Sequence, residues 1–152
     1  MLTINLLCVG NLKEKFWTDA QNEYAKRLSR FCKLNIIEIT EQNKYNEIDK
    51  ILQVEGQDLI NKLSGYGLLL DINGKQLSSE EFADKIKGIE LNNSTITFVI
   101  GSSHGVSQEV KNKIKDKLSF GKATYPHNMV RIILLEQIYR CFMINNNSNY
   151  HK

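Results

Sequence analysis

The stretch TITFVIGSSHG, from Thr95 to Gly105, changes character at its midpoint. Thr95–Ile100 is β-branched or aromatic throughout and apolar at its centre. Gly101–Gly105 is small, polar and glycine-bearing. A run of this kind suits a parallel strand covered on both faces. The loop behind it lies where open parallel sheets hold their ligands, outside the carboxyl end of a strand. Three other runs share the pattern: Thr3–Val9, Leu34–Ile39 and Tyr66–Asp71.

Helical patterns separate these runs. Phe16, Trp17, Ala20, Tyr24, Leu28 and Phe31 recur at three- and four-residue spacing, predicting a helix over 16–31. Ile48, Ile51, Leu52, Leu59, Ile60 and Leu63 predict another over 47–63. Ser78 followed by Glu81 reads as a capping box opening a helix over 78–86. A Lys-rich helix is expected over 107–118. A last one follows Pro126, the single proline of the chain. Alternating strands and helices argue for an α/β fold, a mostly parallel sheet flanked by helices. With 152 residues, no repeat and no linker, one domain over 1–152 is expected. Thr40–Asn46 is a polar connection. Composition alone makes Asn145–Asn149 disordered.

Charged residues are 24% and hydrophobic ones 41%, ordinary values for a globular protein. Thr3–Val9 has no basic leader before it and reads as a strand, not a signal peptide. No apolar run reaches the roughly 18 residues of a membrane span, so no membrane partner is expected and the protein reads as cytoplasmic. The three cysteines Cys8, Cys32 and Cys141 are widely spaced, without CxxC or HxxxH partners; reduced thiols and no metal are expected. Lysine and arginine gather at Lys13–Lys33 and Lys111–Lys122. Such stretches attract phosphate backbones, and they are equally the solvated faces of surface helices.

Two further glycine-bearing turns follow apolar runs, Asp71–Gly74 and Ser119–Tyr125. Glycines there let a backbone approach a ligand closely and offer free N–H groups. Neither GxGxxG nor a Walker loop is present. Three such loops together resemble the wall of a nucleoside-like pocket. His104 sits in one loop, and His127 opens the helix after Pro126, where a neutral imidazole is favoured. Arg131 and Arg140 lie within that helix, which is apolar on almost every side. Buried guanidinium groups need carboxylate, carbonyl or phosphate partners. Arg140 lies four residues after Glu136, a possible intrahelical pair. Arg131 either braces an interface made by that helix or contacts a substrate.

NLKEKFW (11–17), LDINGK (70–75), LSSEEFA (77–83), VIGSSHG (99–105), LSFGKATYPHNMVRIILLEQIYR (118–140) and the terminal YHK (150–152) resemble the RlmH-type methyltransferases of the SPOUT class, end to end. The resemblance implies a C-terminal trefoil knot and a homodimer in which the last helix meets its symmetry mate. It implies methylation of N3 of a pseudouridine in helix 69 of large-subunit (23S) ribosomal RNA, with S-adenosylmethionine as cofactor and assembled ribosomes as partner. By position, Leu70 and Gly101 line the cofactor pocket, and Phe120, Gly121, Lys122, Ala123, Thr124 and Tyr125 wrap it. N3 carries a proton, so a base or a charge is needed. The candidates are His151, His127, Arg131 and Lys152. The resemblance favours the tail, Tyr150-His151-Lys152, in its own or the partner's pocket, ordering when cofactor or RNA binds.

One departure stands out: the family reads IGG where this chain reads Ile100-Gly101-Ser102. A serine disfavours positive φ. If that position requires it, the alternative is a knotted RNA- or ribosome-binding protein with impaired catalysis. A different α/β nucleotide-binding enzyme is the other rival, disfavoured by the missing phosphate-loop signature.

Overall fold

A computed structural model of the chain describes residues 1–151. Five parallel strands form one sheet in the order β2-β1-β4-β3-β5. They are β1 (Leu2–Val9), β2 (Cys32–Ile39), β3 (Tyr66–Gln76), β4 (Thr95–Ile100) and β5 (Lys117–Ser119). The helices are α1 (Lys15–Leu28), α2 (Ile48–Lys62), α3 (Ser79–Glu90), α4 (Gln108–Lys113) and α5 (His127–Asn145). None of them is long and apolar enough to cross a membrane.

The two-residue period of a strand splits each apolar run between two cores. Ile4, Leu6 and Cys8 of β1 join Leu68, Ile96 and Phe98 beneath α1, α3 and α5. Leu7 and Val9 join Leu69, Val99, Val110 and Ile114 beneath α2 and α4. Both faces are covered, which is why the strands read as continuous apolar runs. The predicted capping box is present: Ser78 Oγ accepts from Glu81 N at 3.0 Å, and Glu81 Oε1 accepts from Ser78 N at 2.8 Å.

The expected helix over 107–118 is instead a short helix and a strand. Val110, Ile114 and Leu118 are all buried at four-residue spacing, which mimics a helical face. Lys117 Nζ donates to the carbonyls of Lys111 and Ile114 at 3.0 and 2.9 Å, occupying acceptors that further helical turns would use. Ile114 is already extended, and Lys117–Ser119 pairs with β3. β3 also outruns its expected end. Leu118 stands opposite both Leu70 and Lys75, so Asp71–Gly74 forms an excursion after which the strand resumes. A Cβ on Gly74 would lie 2.8 Å from Leu118 N and from Lys117 C, so the excursion closes tightly on β5.

The asparagine-rich tail is ordered where composition made it disordered. Asn147 takes a left-handed φ of 56°, which asparagine tolerates. The amides of Asn146, Asn147 and Ser148 close on carbonyls of the last turn of α5. Lys152 lies outside the described residues.

Candidate active site

A cleft of about 670 Å³ opens at the carboxyl ends of β3, β4 and β5. Its walls come from the three loops singled out in the sequence and the residues beside them: Leu70–Asn73, Ile100–Ser103 with Gly105 and Val106, and Leu118–Gly121 with Ala123–His127, with Val130 and Lys111 added. The volume suits a nucleoside-sized ligand.

Each loop has a local reason for its shape. In the β4 loop, Gly105 N donates to Ser102 O at 2.9 Å, with Gly105 at φ +85°. A Cβ on Gly101 would meet Gly105 O at 2.5 Å and Val106 Cγ1 at 2.7 Å, so only glycine fits. Beyond β5, Ser119 Oγ accepts from Gly121 N at 3.1 Å and donates to Gly121 O at 3.0 Å. That holds Gly121 at φ +122°, its α-carbon facing open space. In the β3 excursion, Asp71 Oδ1 accepts from Asn73 N at 2.9 Å.

Ser102 does not carry the strain that its departure from IGG raised. Among the described non-glycine residues only Asn147 has positive φ. The Ser102 side chain turns inward, 7% exposed, and its Oγ accepts from His104 N at 3.3 Å. Behind it lies Glu55 of α2, a buried carboxyl that residue periodicity did not single out. Glu55 Oε2 accepts from Gln42 N at 2.9 Å, while Oε1 has no partner within hydrogen-bond distance and angle among the described residues. Burial pushes this carboxyl above its usual range, and the Gln42 amide and Ser102 hydroxyl pull it partly back. An acidic residue in a helix carries no pattern that would mark it as buried.

Of the residues expected at the cofactor, Leu70, Gly101, Phe120, Gly121, Ala123, Thr124 and Tyr125 line the cleft. Lys122 is exposed and is not among the lining residues. His127, the first residue of α5, lines it as well. Arg131 does not. It is 1% exposed, and its guanidinium donates to Glu38 Oε2 at 2.8 Å, Gln21 Oε1 at 3.0 Å and the Gly10 carbonyl at 3.2 Å. It therefore ties α5 to β2, to α1 and to the residue after β1 within its own chain, and does not reach the cleft.

Tyr150 and His151 lie on the far end of α5, outside the lining of their own chain's cleft. Tyr150 packs edge-on against Tyr139 with ring centroids 5.0 Å apart, and its hydroxyl donates to Glu136 Oε1 at 3.3 Å. His151 contacts Arg140 and Glu80. Of the basic stretches, Lys111 borders the cleft, Lys117 is turned inward, and Lys15 and Arg27 pair with Asp19 and Glu23 along α1.

A family model described as "Predicted SPOUT methyltransferase" matches residues 2–151. The chain is 46% identical to the Ribosomal RNA large subunit methyltransferase H of Lactobacillus acidophilus, over 99% of this chain and 100% of that protein. It is 46% identical to the protein of the same name from Oenococcus oeni, over 100% of both chains. It is 41% identical to that of Fusobacterium nucleatum, over 99% and 100%.

Proposed function

The chain belongs to the SPOUT methyltransferase family, and from that premise we propose that it methylates N3 of a pseudouridine in helix 69 of large-subunit ribosomal RNA, using S-adenosylmethionine. The observation that carries this reading is the cleft itself. Three glycine-bearing strand-end loops enclose it in a chain matched end to end by rRNA methyltransferases. Such a substrate would put the reaction in the cytoplasm, on assembled ribosomes.

The residues present fit the cofactor. Bare backbone at Gly121 leaves room for close approach, Gly101 lets its loop fold tightly on Gly105 and Val106, and Leu70, Ile72, Ile100, Leu118 and Val130 give apolar walls for an adenosyl group. When bound, S-adenosylmethionine supplies an electrophilic methyl group on a sulfonium. Leu70, Gly101 and the 120–125 loop would hold the adenosyl moiety, with Lys122 at the rim. Most of the rate gain should come from fixing the base in line with that methyl group. The N3 proton needs an acceptor. His127 borders the cleft of its own chain, whereas Tyr150 and His151 would complete a cleft by leaving their dock or by serving the partner in a homodimer, with Lys152 following them in sequence. The apolar residues that α5 leaves half-buried, Met129, Ile132, Ile133 and Met143, suit that dimer contact.

The test is methyl transfer from radiolabelled S-adenosylmethionine to ribosomes lacking the modification, followed by nucleoside analysis. Label on N3 of a pseudouridine is expected. Label on another base, or none from a folded protein that binds the cofactor, refutes the assigned substrate.

A further inference from the structure

Both ring nitrogens of His151 are occupied. Nδ1 lies 3.0 Å from Arg140 Nη1, and Nε2 lies 2.6 Å from Glu80 Oε1. A guanidinium nitrogen offers hydrogens and no acceptor lone pair. Nδ1 must therefore be the acceptor and carries no proton. The ring proton is then on Nε2 and is donated to the Glu80 carboxylate. An imidazolium would set an N–H against an N–H at Arg140, so the docked ring is neutral.

The arginine that imposes this is itself fixed. Its Nε and Nη2 donate to Glu136 Oε1 at 2.9 and 2.6 Å, and its guanidinium carbon stands 4.9 Å from the centre of the Tyr150 ring. Among the described residues, the titratable groups around the tail are Arg140 and Glu136 from α5, Glu80 from α3 and Tyr150 itself, with Tyr24 and Arg27 of α1 close to Tyr150. Hydrogen bonding from His151 is also the main cause that holds the Glu80 carboxyl below its usual range.

We propose that Glu80 is a positioning residue: together with Arg140 it holds His151 as the neutral Nε2–H tautomer and docks the C-terminal tail in a resting arrangement. This deepens the reading above and rests on the tail's delivering His151 to the reaction. In the dock the ring has no free lone pair. To take the N3 proton, Nδ1 must first leave Arg140, and the resulting imidazolium carries a proton on each nitrogen. It cannot re-dock against Arg140 until one proton passes to solvent. Tail release and re-docking thereby become steps of the cycle, with Glu80 as the tether.

The test uses the full-length protein with ¹⁵N-labelled histidine rings. The chain has three histidines, so a His151→Asn spectrum assigns the signal. The wild type should show one tautomer at His151, unprotonated at Nδ1 and protonated at Nε2. Glu80→Ala should collapse it to the two-tautomer average of a free imidazole. Glu80→Gln, which keeps an acceptor oxygen, should retain it. On ribosomes, Glu80→Ala should change kcat by roughly tenfold, the worth of one charge-assisted hydrogen bond, with KM for the cofactor unchanged. The side chain of Glu80 is 62% exposed, so its removal leaves the core intact. An averaged or Nδ1-protonated ring in the wild type overturns the proposal, as does a Glu80→Ala spectrum identical to wild type. If ribosomes are not methylated but the tautomer is single and lost in Glu80→Ala, the substrate assignment fails and the role of Glu80 in fixing the ring stands.

Discussion

The two ends of α5 each carry an arginine, and the two side chains are held in opposite ways. Arg131, at the cleft end, is 1% exposed and reaches partners on three distant segments: Gly10, Gln21 and Glu38. Arg140, at the tail end, is 25% exposed and uses neighbours close in sequence: Glu136, Tyr150 and His151. Removing Arg131 leaves polar groups of several elements without a donor. Removing Arg140 leaves groups that can turn to water. The same guanidinium is a weld at one end and a latch at the other, and burial makes the difference.

Substitution at the weld should have the largest effect. Arg131→Leu should destabilise the protein by about 3 kcal/mol, at the low end for a broken buried pair because Glu38 stays 40% exposed. The urea midpoint measures it, and a midpoint equal to that of Arg140→Leu would erase the contrast. Next comes the cleft beside it. Gly101→Ala should weaken cofactor binding by about 2 kcal/mol, because its Cβ collides with Gly105 O at 2.5 Å. Calorimetry on the folded variant checks this. Arg140→Gln should cost about 1 kcal/mol or less, yet should free the tail to limited proteolysis. Arg140→Lys should not restore the dock, since one ammonium cannot serve Glu136 and His151 with the geometry of a fork.

The smallest effects should appear at the thiols that flank the two arginines. Burial pushes Cys8 and Cys141 each up to about 12, with Arg131 opposing the shift at Cys8 and Arg140 at Cys141. Both should resist alkylation in the native protein near pH 8. The sign for stability follows from proton uptake. The folded state keeps these protons where the unfolded chain releases them, so their contribution is full below the ordinary thiol range and is lost as pH rises toward about 12. Because each arginine favours the thiolate beside it, native-state alkylation of Cys8 should slow further in Arg131→Leu and that of Cys141 in Arg140→Gln; the reverse pairing would refute the assignment of each arginine to its end.

What the sequence made legible follows the same division between near and far. The apolar runs, the Ser78–Glu81 box and the three loops declare themselves through spacing, and the structure joins them into one sheet and one cleft. β5 stayed hidden because Val110, Ile114 and Leu118 fit a helix as well as a helix end followed by a strand. The tail misled because asparagine is frequent in disordered segments and is also suited to the left-handed turn that ends α5. Glu55 and the partners of Arg131 stayed hidden because burial of a charge is decided by elements up to 121 residues away. Whether Ser102 was harmful depended on one backbone angle that no spacing encodes.

The tight closure of the β3 excursion on β5 has a kinetic consequence. The strands β2, β1, β4 and β3 can pair before β5 exists as a strand, but the cleft then lacks the wall that follows Leu118. A ligand of the cleft therefore recognises the finished chain and none of its precursors. Bound cofactor should slow unfolding while leaving the rate of folding unchanged, so the protein's lifetime, more than its birth, would track how much cofactor surrounds it.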